Sequence, residues 1–236
     1  MRVILYGRNP VREALRGRRA VRRAWATRAA AASERWLAEL RPLERSDEQL
    51  EALCGSPDHQ GVCAEADAYP YADPAALLGG DEELFVCLDQ VQDPRNLGAV
   101  CRVAEAAGAA GVVLPERRSA AVTPAACKAS AGAVEHLAVA RVRNLADWLG
   151  EAKAAGAWVY GADPAGAPFT APDYSGRLVL VLGSEGRGLR SRVARSCDRL
   201  VALPMRGRVG SLNVSAAAAA LLYGILQRRG DLDRAP

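Results

Sequence analysis

Three short polar stretches in the last two-thirds of the chain carry the side chains best suited to chemistry. Each follows an apolar run: residues 93–98 with Arg102, residues 183–188, and residues 203–205 leading to 211–213. Loops at the carboxyl ends of strands are where open α/β sheets build their sites. Because these stretches supply Asn, Arg, Glu and Ser, we predict that they form one composite pocket.

The glycine-rich stretch at residues 183–188 indicates which ligands such a pocket takes. It matches neither the dinucleotide nor the P-loop glycine spacing. It also carries Glu185, whose carboxylate would repel a phosphate. An ionised carboxylate only accepts hydrogen bonds, so Glu185 suits a hydroxyl donor or a positively charged ligand and argues against a nucleoside triphosphate.

The other polar residues each have a simpler interpretation as well. Asn96 could merely cap a helix, and Ser211 or Asn213 could do the same further along. Arg102 could be a solvated charge, although an arginine in this charge-poor, apolar segment needs an anionic partner. Taken one at a time, these residues leave the structural and the functional interpretations open.

Length and composition exclude several classes of protein. The chain has 236 residues, 50% of them hydrophobic, and can bury a sizeable core. No apolar run approaches the ~20 residues that cross a bilayer, and the amino terminus is too short for a signal core. We therefore expect a cytoplasmic protein. The six cysteines form no CxxC pair and have no histidine at ligand spacing, so we expect reduced, buried thiols and no metal site.

The charge is distributed unevenly along the chain. The net charge is +4, but the first stretch is rich in arginine, with Glu13 as its one acidic residue. Such clustering attracts a polyanion, although a compositional bias towards arginine would give the same pattern. The arginines concerned are Arg2, Arg8, Arg12, Arg16, Arg18, Arg19, Arg22, Arg23 and Arg28.

Residues 1–66 read as a small α/β domain and residues 67–81 as a linker. The domain begins with a helix that Asn9 caps and Pro10 opens, and a strand follows at 21–27. Further helices are predicted at 33–40 and from Ser46, where Gln49 completes a capping box and Gly55 ends the helix. Another strand is predicted at 61–64. Two prolines and paired glycines mark the linker.

Residues 82–236 read as a second α/β domain, because strand and helix patterns alternate. Continuous apolar strands indicate a mostly parallel sheet buried on both faces. The predicted strands are 84–88, 111–114, 137–140, 158–161, 177–182 and 199–203. The predicted helices are 96–107, one that Thr123 caps and Pro124 opens, 144–155 and 213–227.

Together, the three stretches resemble a known family. DPRNLG with Arg102, LGSEG, and LPM followed by SLNVS are similar in order and spacing to the three motifs of the SpoU/TrmH family of RNA ribose 2′-O-methyltransferases, of the SPOUT class. The similarity extends over about residues 84–230. Tyr6-Gly7, Pro10-Val11 and His59-Gln60-Gly61 resemble the substrate-binding domain of the members that methylate a guanosine of 23S ribosomal RNA.

The resemblance implies a SPOUT catalytic domain with a trefoil-knotted, mostly parallel sheet, preceded by a small ribosomal-protein-like α/β domain that binds RNA. It implies S-adenosyl-L-methionine as cofactor and a homodimer. The cofactor-binding positions are Gly183, Leu203, Met205 and Leu212. The catalytic positions are Asn96, Arg102, Glu185, Ser211 and Asn213. The RNA-binding positions are Arg18, Arg19, Arg22 and Arg23.

Other functions stay open at this stage. Transfer RNA is the principal alternative substrate, and a non-catalytic RNA-binding or ribosome-assembly protein of the same fold is another possibility. The complete polar set argues against a pure binding protein, which has no need for Glu185 beside a basic loop. A dinucleotide oxidoreductase would require a glycine fingerprint that this chain lacks.

Overall fold

The computed structural model describes residues 2–80, 83–208 and 210–232. The first part of the chain forms a four-stranded sheet in the order β1-β4-β2-β3, antiparallel except for the β2–β3 pair. Short 3₁₀ helices at Arg35–Leu40 and Pro57–His59 complete this domain. Its elements are β1 (Arg2–Tyr6), α1 (Arg8–Arg16), β2 (Val21–Ala26), α2 (Arg28–Ser33), β3 (Leu43–Glu44), α3 (Asp47–Cys54) and β4 (Val62–Asp67).

The second domain is built on a six-stranded sheet in the order β10-β8-β9-β5-β6-β7, in which every neighbouring pair is parallel. Its elements are β5 (Leu84–Asp89), α4 (Pro94–Ala106), β6 (Gly111–Pro115), α5 (Pro124–Ala129), β7 (Ala138–Val142), α6 (Leu145–Ala154), β8 (Trp158–Pro168), β9 (Leu178–Gly183), α7 (Ser191–Ser196), β10 (Arg199–Ala202) and α8 (Val214–Arg229).

Two apolar layers cover the two faces of this sheet. One contains side chains from α4, α5 and α8, and the other contains side chains from α6 and α7. All six residues of β5 are buried, as expected for a parallel strand with helices on both sides. The continuous apolar runs seen in the sequence therefore come from a sheet without a solvent face, and the carboxyl ends of its strands all point to one edge.

Several predicted helix boundaries are confirmed. Ser46 and Gln49 form the capping box of α3, and Gly55 ends this helix in a left-handed conformation. Thr123 caps α5, with Pro124 in the first turn, and Asn144 caps α6. Local capping chemistry is strong enough at these positions for the sequence to fix where each helix begins.

Other boundaries differ from the prediction. The chain begins with β1, which pairs with the distant β4, and α1 is preceded by Gly7 without a side-chain cap. The helix predicted at 33–40 is instead α2, capped by Thr27, and a 3₁₀ helix separated from it at Glu34. The short helix α7 was not predicted. The predicted domain boundary at residues 81 and 82 lies outside the described residues.

The α4 helix begins earlier than predicted. Its cap is Asp93, whose side chain accepts a hydrogen bond from the Arg95 backbone, and Pro94 occupies the first turn. Asn96 lies inside that turn and is not the cap. The correction matters because the Asn96 side chain is thereby free to bond elsewhere.

A buried ion pair joins the two domains. Arg19, which follows α1, donates through Nε to Glu135 Oε2 at 2.9 Å, and its Nη2 contacts Glu135 Oε1 and lies 3.0 Å from Cys127 Sγ. Tyr69 adds hydrogen bonds to two carbonyl groups of the same region. Gly132 permits the close approach, because a Cβ there would lie 2.6 Å from Glu13 Cβ and the backbone φ is +90°.

Candidate active site

The loops after β9 and β10 line one cavity of about 810 Å³. All four residues predicted to hold the cofactor, Gly183, Leu203, Met205 and Leu212, lie on its wall, as does Ser211. The end of β8 and Phe169, which follows it, supply a further wall. Sequence reasoning missed this wall, because β8 continues seven residues beyond the predicted strand, through a glycine and two prolines.

The loop after β9, residues 183–188, folds back on itself at Gly183. A Cβ at this position would lie 2.2 Å from the backbone carbon of Gly188, and Ser184 forms a β-bridge with Gly188. Only glycine allows this approach. The fold-back places Glu185 at the tip of a tight loop, which explains why the glycine spacing differs from that of a phosphate-binding loop.

Asp89 holds the chain just after this loop, at Arg190. It is fully buried at the end of β5, accepts a hydrogen bond from the Arg190 backbone at 2.8 Å, and accepts another from Arg190 Nε at 2.7 Å. A charge-assisted contact of this kind is stronger than a neutral one. The sequence analysis did not select Asp89, although an aspartate that ends an apolar strand was a usable signal.

Three of the five predicted catalytic residues contact one another. Glu185 Oε1 accepts hydrogen bonds from Asn213 Nδ2 at 2.7 Å and from Asn96 Nδ2 at 3.0 Å, and the Val214 backbone lies 3.4 Å away. Asn213 Nδ2 also reaches Asn96 Oδ1 at 3.0 Å. Residues separated by up to 117 positions therefore form one cluster, in which Glu185 Oε2 has no partner in the described part of the chain.

Asn213 has a second role as the cap of α8. Its Oδ1 accepts hydrogen bonds from the Ser215 backbone at 2.9 Å and from Ser215 Oγ at 2.6 Å. The capping interpretation of this residue is therefore confirmed, and the same side chain also joins the Glu185 cluster. Capping fixes the side chain so that Nδ2 points to Glu185. Ser211 lies on the cavity wall, away from this hydrogen-bonded cluster.

Arg102 lies apart from the other predicted catalytic residues. It is exposed on α4, lines neither cavity near Glu185, and makes no ion pair or hydrogen bond within the described ranges. Six residues along a helix amount to about 9 Å of rise, so Asn96 and Arg102 do not point to the same place. Its guanidinium is accessible to an anion outside the cavity.

A second cavity of about 380 Å³ adjoins the first. Four residues, Ser184, Glu185, Arg187 and Val214, line both cavities and form the wall between them. The opposite side of the smaller cavity is formed by the loop between β5 and α4 and by Asn96. The Glu185 cluster therefore lies between two spaces, which suits a reaction between two bound molecules.

The arginines predicted to bind RNA occupy three different environments. Arg18 is exposed without a partner in the described ranges, Arg23 is exposed over the ring of Trp25, and Arg22 is exposed but bonded to Asp67. Arg19 is a correction: it is 5% exposed and bonded to Glu135, so it is not available to RNA. Proximity in sequence to other arginines could not reveal its buried partner.

The six cysteines are all unpaired thiols. Burial raises the pKa of Cys101 to about 12 and that of Cys127 to about 11, so neither is a reactive thiolate at neutral pH. In the described part of the chain, no group of three or more His, Cys, Asp or Glu residues is arranged to hold a metal ion. Among the same residues, no helix combines the length and apolar character needed to cross a membrane.

Comparison with known proteins gives the family. The model of the SpoU rRNA Methylase family matches residues 83–223, and a model described as RNA 2′-O ribose methyltransferase substrate binding matches residues 4–72. The chain belongs to the SpoU family of RNA methyltransferases. The predicted family and enzyme class are confirmed.

Individual relatives agree with this assignment. The putative TrmH family tRNA/rRNA methyltransferase YacO of Bacillus subtilis is 46% identical over 72% of this chain and 71% of its own length. An uncharacterised tRNA/rRNA methyltransferase of Synechocystis, slr0955, is 37% identical over 96% of this chain and 63% of its own. The structure of the SpoU methyltransferase AviRb of Streptomyces viridochromogenes, in complex with AdoMet, has a TM-score of 0.81 and 27% identity, covering 97% of this chain and 90% of that one.

The predicted fold class is also confirmed: a SPOUT domain with a parallel sheet follows a small amino-terminal α/β domain. The family depends on S-adenosylmethionine, in agreement with the predicted cofactor. The larger cavity fits this molecule. Its volume lies within the ~300–1,000 Å³ of small-molecule sites, its wall carries Leu182, Leu203 and Leu212, and Glu185 offers negative charge to a cation.

Proposed function

We propose that this enzyme methylates a ribose 2′-hydroxyl of RNA with S-adenosylmethionine as donor, and that its target is a guanosine of 23S ribosomal RNA. The observation that carries the proposal is the position of Glu185, held by two asparagines in the wall between the two cavities. The substrate-binding domain at residues 4–72 supports a structured RNA as substrate. We place the reaction in the cytoplasm.

The larger cavity is the proposed donor site. Gly183, Leu203, Met205 and Leu212 would hold the cofactor there, and Ser211 would shape the loop before α8. When bound, S-adenosylmethionine supplies a methyl group activated by a sulfonium. The tight loop at residues 183–188, anchored by Asp89, keeps this wall fixed.

The residues around Glu185 are proposed to orient the hydroxyl group. A neutral hydroxyl is a poor nucleophile and must be positioned as it loses its proton. Glu185 Oε2, without a partner in the described chain, accepts a hydrogen bond from the 2′-hydroxyl, while Asn96 and Asn213 hold Oε1. Pre-organisation of reacting groups contributes roughly 7–11 kcal/mol in favourable cases, so a rigid cluster that positions the hydroxyl favours the reaction.

Arg102 is proposed to act through electrostatics. A guanidinium is protonated at all physiological pH values and is a poor base. Its exposed position on α4, outside both cavities, suits a charge-assisted contact with an RNA phosphate next to the target ribose. Accessibility and the lack of an internal partner in the described ranges support this role.

We also propose that the enzyme is a homodimer, as the resemblance implies. Tyr223 on α8 and Leu212 just before this helix are each 44% exposed, which leaves apolar surface for a second copy of the chain. Light scattering is expected to give twice the chain mass of 24.9 kDa. A monomeric mass at micromolar concentration would contradict this.

The deciding experiment supplies purified enzyme with radiolabelled S-adenosylmethionine and unmodified transcripts of 23S ribosomal RNA and of transfer RNA. We expect label in 23S RNA, at an alkali-resistant linkage that maps to a guanosine. Label in transfer RNA instead would overturn the ribosomal assignment but keep the enzyme class. Donor binding without transfer to either RNA would contradict the proposed function.

A further inference from the structure

The smaller cavity contains two glutamines that the mechanism above does not use. Gln90 and Gln92 line it from the loop that joins β5 to α4, facing the shared wall of Ser184, Glu185, Arg187 and Val214. Neither side-chain amide forms a hydrogen bond with any residue in the described ranges. Each amide offers two donors and an acceptor, so the cavity presents unused polar groups close to Glu185.

The backbone of Gln90 has a conformation that is unfavourable for a residue with a side chain. Its φ is +61°, in the left-handed region, which costs about 1–2 kcal/mol for a residue with a Cβ. Glycine would adopt this conformation freely. A strained residue beside a reaction centre points to use of its side chain, because the turn alone would favour glycine.

The backbone between Gln90 and Gln92 is held in place. Val91 is 4% exposed, and its carbonyl accepts a hydrogen bond from the Ala120 backbone at 2.8 Å. Asp93 is occupied as the cap of α4. The backbone on both sides of Gln92 is therefore fixed, and the two amides present a prearranged polar edge to the cavity.

We propose that this cavity is the base subsite for the target nucleotide, and that the amides of Gln90 and Gln92 hydrogen bond to the edge of its base. The inference rests on the proposed function. Proteins read single RNA bases, splayed out of the stack, by hydrogen bonds to their edges. About 380 Å³ lies at the low end of ligand-site volumes and suits one nucleoside better than a helical segment.

The location connects recognition with chemistry. A base bound by the glutamines lies opposite the wall that carries Glu185, so its sugar is directed towards that carboxylate. The donor cavity begins on the other side of the same residue. Gln90 and Gln92 are thus specificity residues, whereas Glu185 contacts the reacting hydroxyl.

The test uses the RNA that the wild-type enzyme methylates and compares Gln90→Gly, Gln90→Glu and Gln92→Ala. We expect kcat/KM for RNA to fall about tenfold in Gln90→Gly and in Gln92→Ala, the size of effect that follows loss of a hydrogen bond to the substrate. Gln90→Glu keeps the size of the side chain but removes its donor, and should change which bases are methylated. Calorimetry should show unchanged affinity for S-adenosylmethionine in all three variants.

If Gln90 had only a structural role, replacing it would lower the free energy of unfolding. If its side chain binds the base, Gln90→Gly relieves backbone strain, so the free energy of unfolding should stay level or rise while kcat/KM falls. Ala131→Gly is the matched control, because Ala131 also has a left-handed backbone, with φ of +52°, and lines neither cavity. It should leave kcat/KM unchanged.

Two failures can be told apart. If the wild-type enzyme binds donor but methylates no RNA, the proposed function is wrong and the subsite falls with it. If the wild type methylates RNA, and the Gln90 and Gln92 variants keep its kcat/KM and its distribution of methylated bases, only the subsite assignment is wrong.

Discussion

Glu135 at the domain junction and Glu185 in the wall between the two cavities both accept several hydrogen bonds, but in opposite environments. Glu135 is 3% exposed and bonded to the equally buried Arg19. Glu185 is exposed and is held by two neutral asparagine amides. A buried charge needs a neutralising partner, whereas an exposed one in water does not.

The difference separates stability from function. At the junction, the charges of Glu135 and Arg19 neutralise each other, and the two domains are held in one arrangement. In the active-site wall, the partners of Glu185 fix its orientation without cancelling its charge, so the carboxylate remains available to a ligand. The same residue type thus serves as a structural clamp in one place and as an accessible hydrogen-bond acceptor in the other.

The largest expected effect comes from breaking the junction. Glu135→Ala leaves Arg19 buried without a partner and should lower the free energy of unfolding by about 3–5 kcal/mol, measured by urea denaturation. Glu185→Ala should change it by about 0.5 kcal/mol or less, as is usual for exposed sites. The double variant Arg19→Met with Glu135→Leu should regain most of the loss. Equal destabilisation by Glu135→Ala and Glu185→Ala would contradict the comparison.

The second effect concerns catalysis. Arg102→Ala should lower methylation turnover at low RNA concentration about 10- to 100-fold, the effect of losing one charge-assisted contact to a phosphate. Affinity for S-adenosylmethionine should not change, because Arg102 lines neither cavity. The control is Arg195→Ala, which removes an exposed arginine from α7 on the other face of the sheet. Near-normal turnover in Arg102→Ala would show that its assigned role is wrong.

Much of this architecture could be predicted from local sequence. The buried strands β5 and β9 are continuous apolar runs, and parallel strands bring the segments that follow them to one edge, so the approach of Asn96 to Glu185 followed from pattern alone. The Asp-Pro pair that begins α4 was also readable, since Asp93 and Pro94 are a typical cap and first position. The predicted cap fell three residues late because Asn96 is also a typical capping residue.

Other features depend on contacts that no local pattern contains. Arg19 is bonded to a residue 116 positions away, and in the sequence it is indistinguishable from its exposed neighbours Arg18 and Arg22. Gln90 has a left-handed conformation next to the buried Val91, whose carbonyl is bonded to Ala120, and a glutamine gives no sign of it. Tertiary burial decides both cases.

A third prediction addresses the anchor beneath the active-site loop. Asp89→Asn removes a buried charge that holds the backbone and side chain of Arg190, a contact of about 1.5–3 kcal/mol. We expect affinity for S-adenosylmethionine to fall about tenfold in calorimetry as the loop loosens. Asp147→Asn is the control, because that aspartate pairs with Arg192 at the exposed surface. If both variants bind donor like the wild type, Asp89 does not position the loop.

A fourth, smaller effect tests the RNA surface. Arg18→Ala and Arg23→Ala should each weaken binding to a 23S transcript and reduce the slope of log affinity against log salt by about 1, if each contacts one phosphate. Arg22→Ala should change the slope less, because Asp67 already offsets its charge. The measurement is filter binding at several salt concentrations. Unchanged slopes in all three variants would remove this surface from RNA recognition.

The smallest expected effect is a pH dependence of the junction. Burial alone would raise the pKa of Glu13, but hydrogen bonds from His136 and Arg12 outweigh it and lower the pKa below the usual 4.5. A carboxyl with a lowered folded-state pKa stabilises the fold above its unfolded pKa, and this contribution is lost as pH falls through the folded value. Urea midpoints should therefore drop below about pH 4.5 and drop less steeply in Glu13→Gln. If Glu13→Gln and the wild type follow the same curve, the contact between Glu13 and His136 adds nothing to the junction.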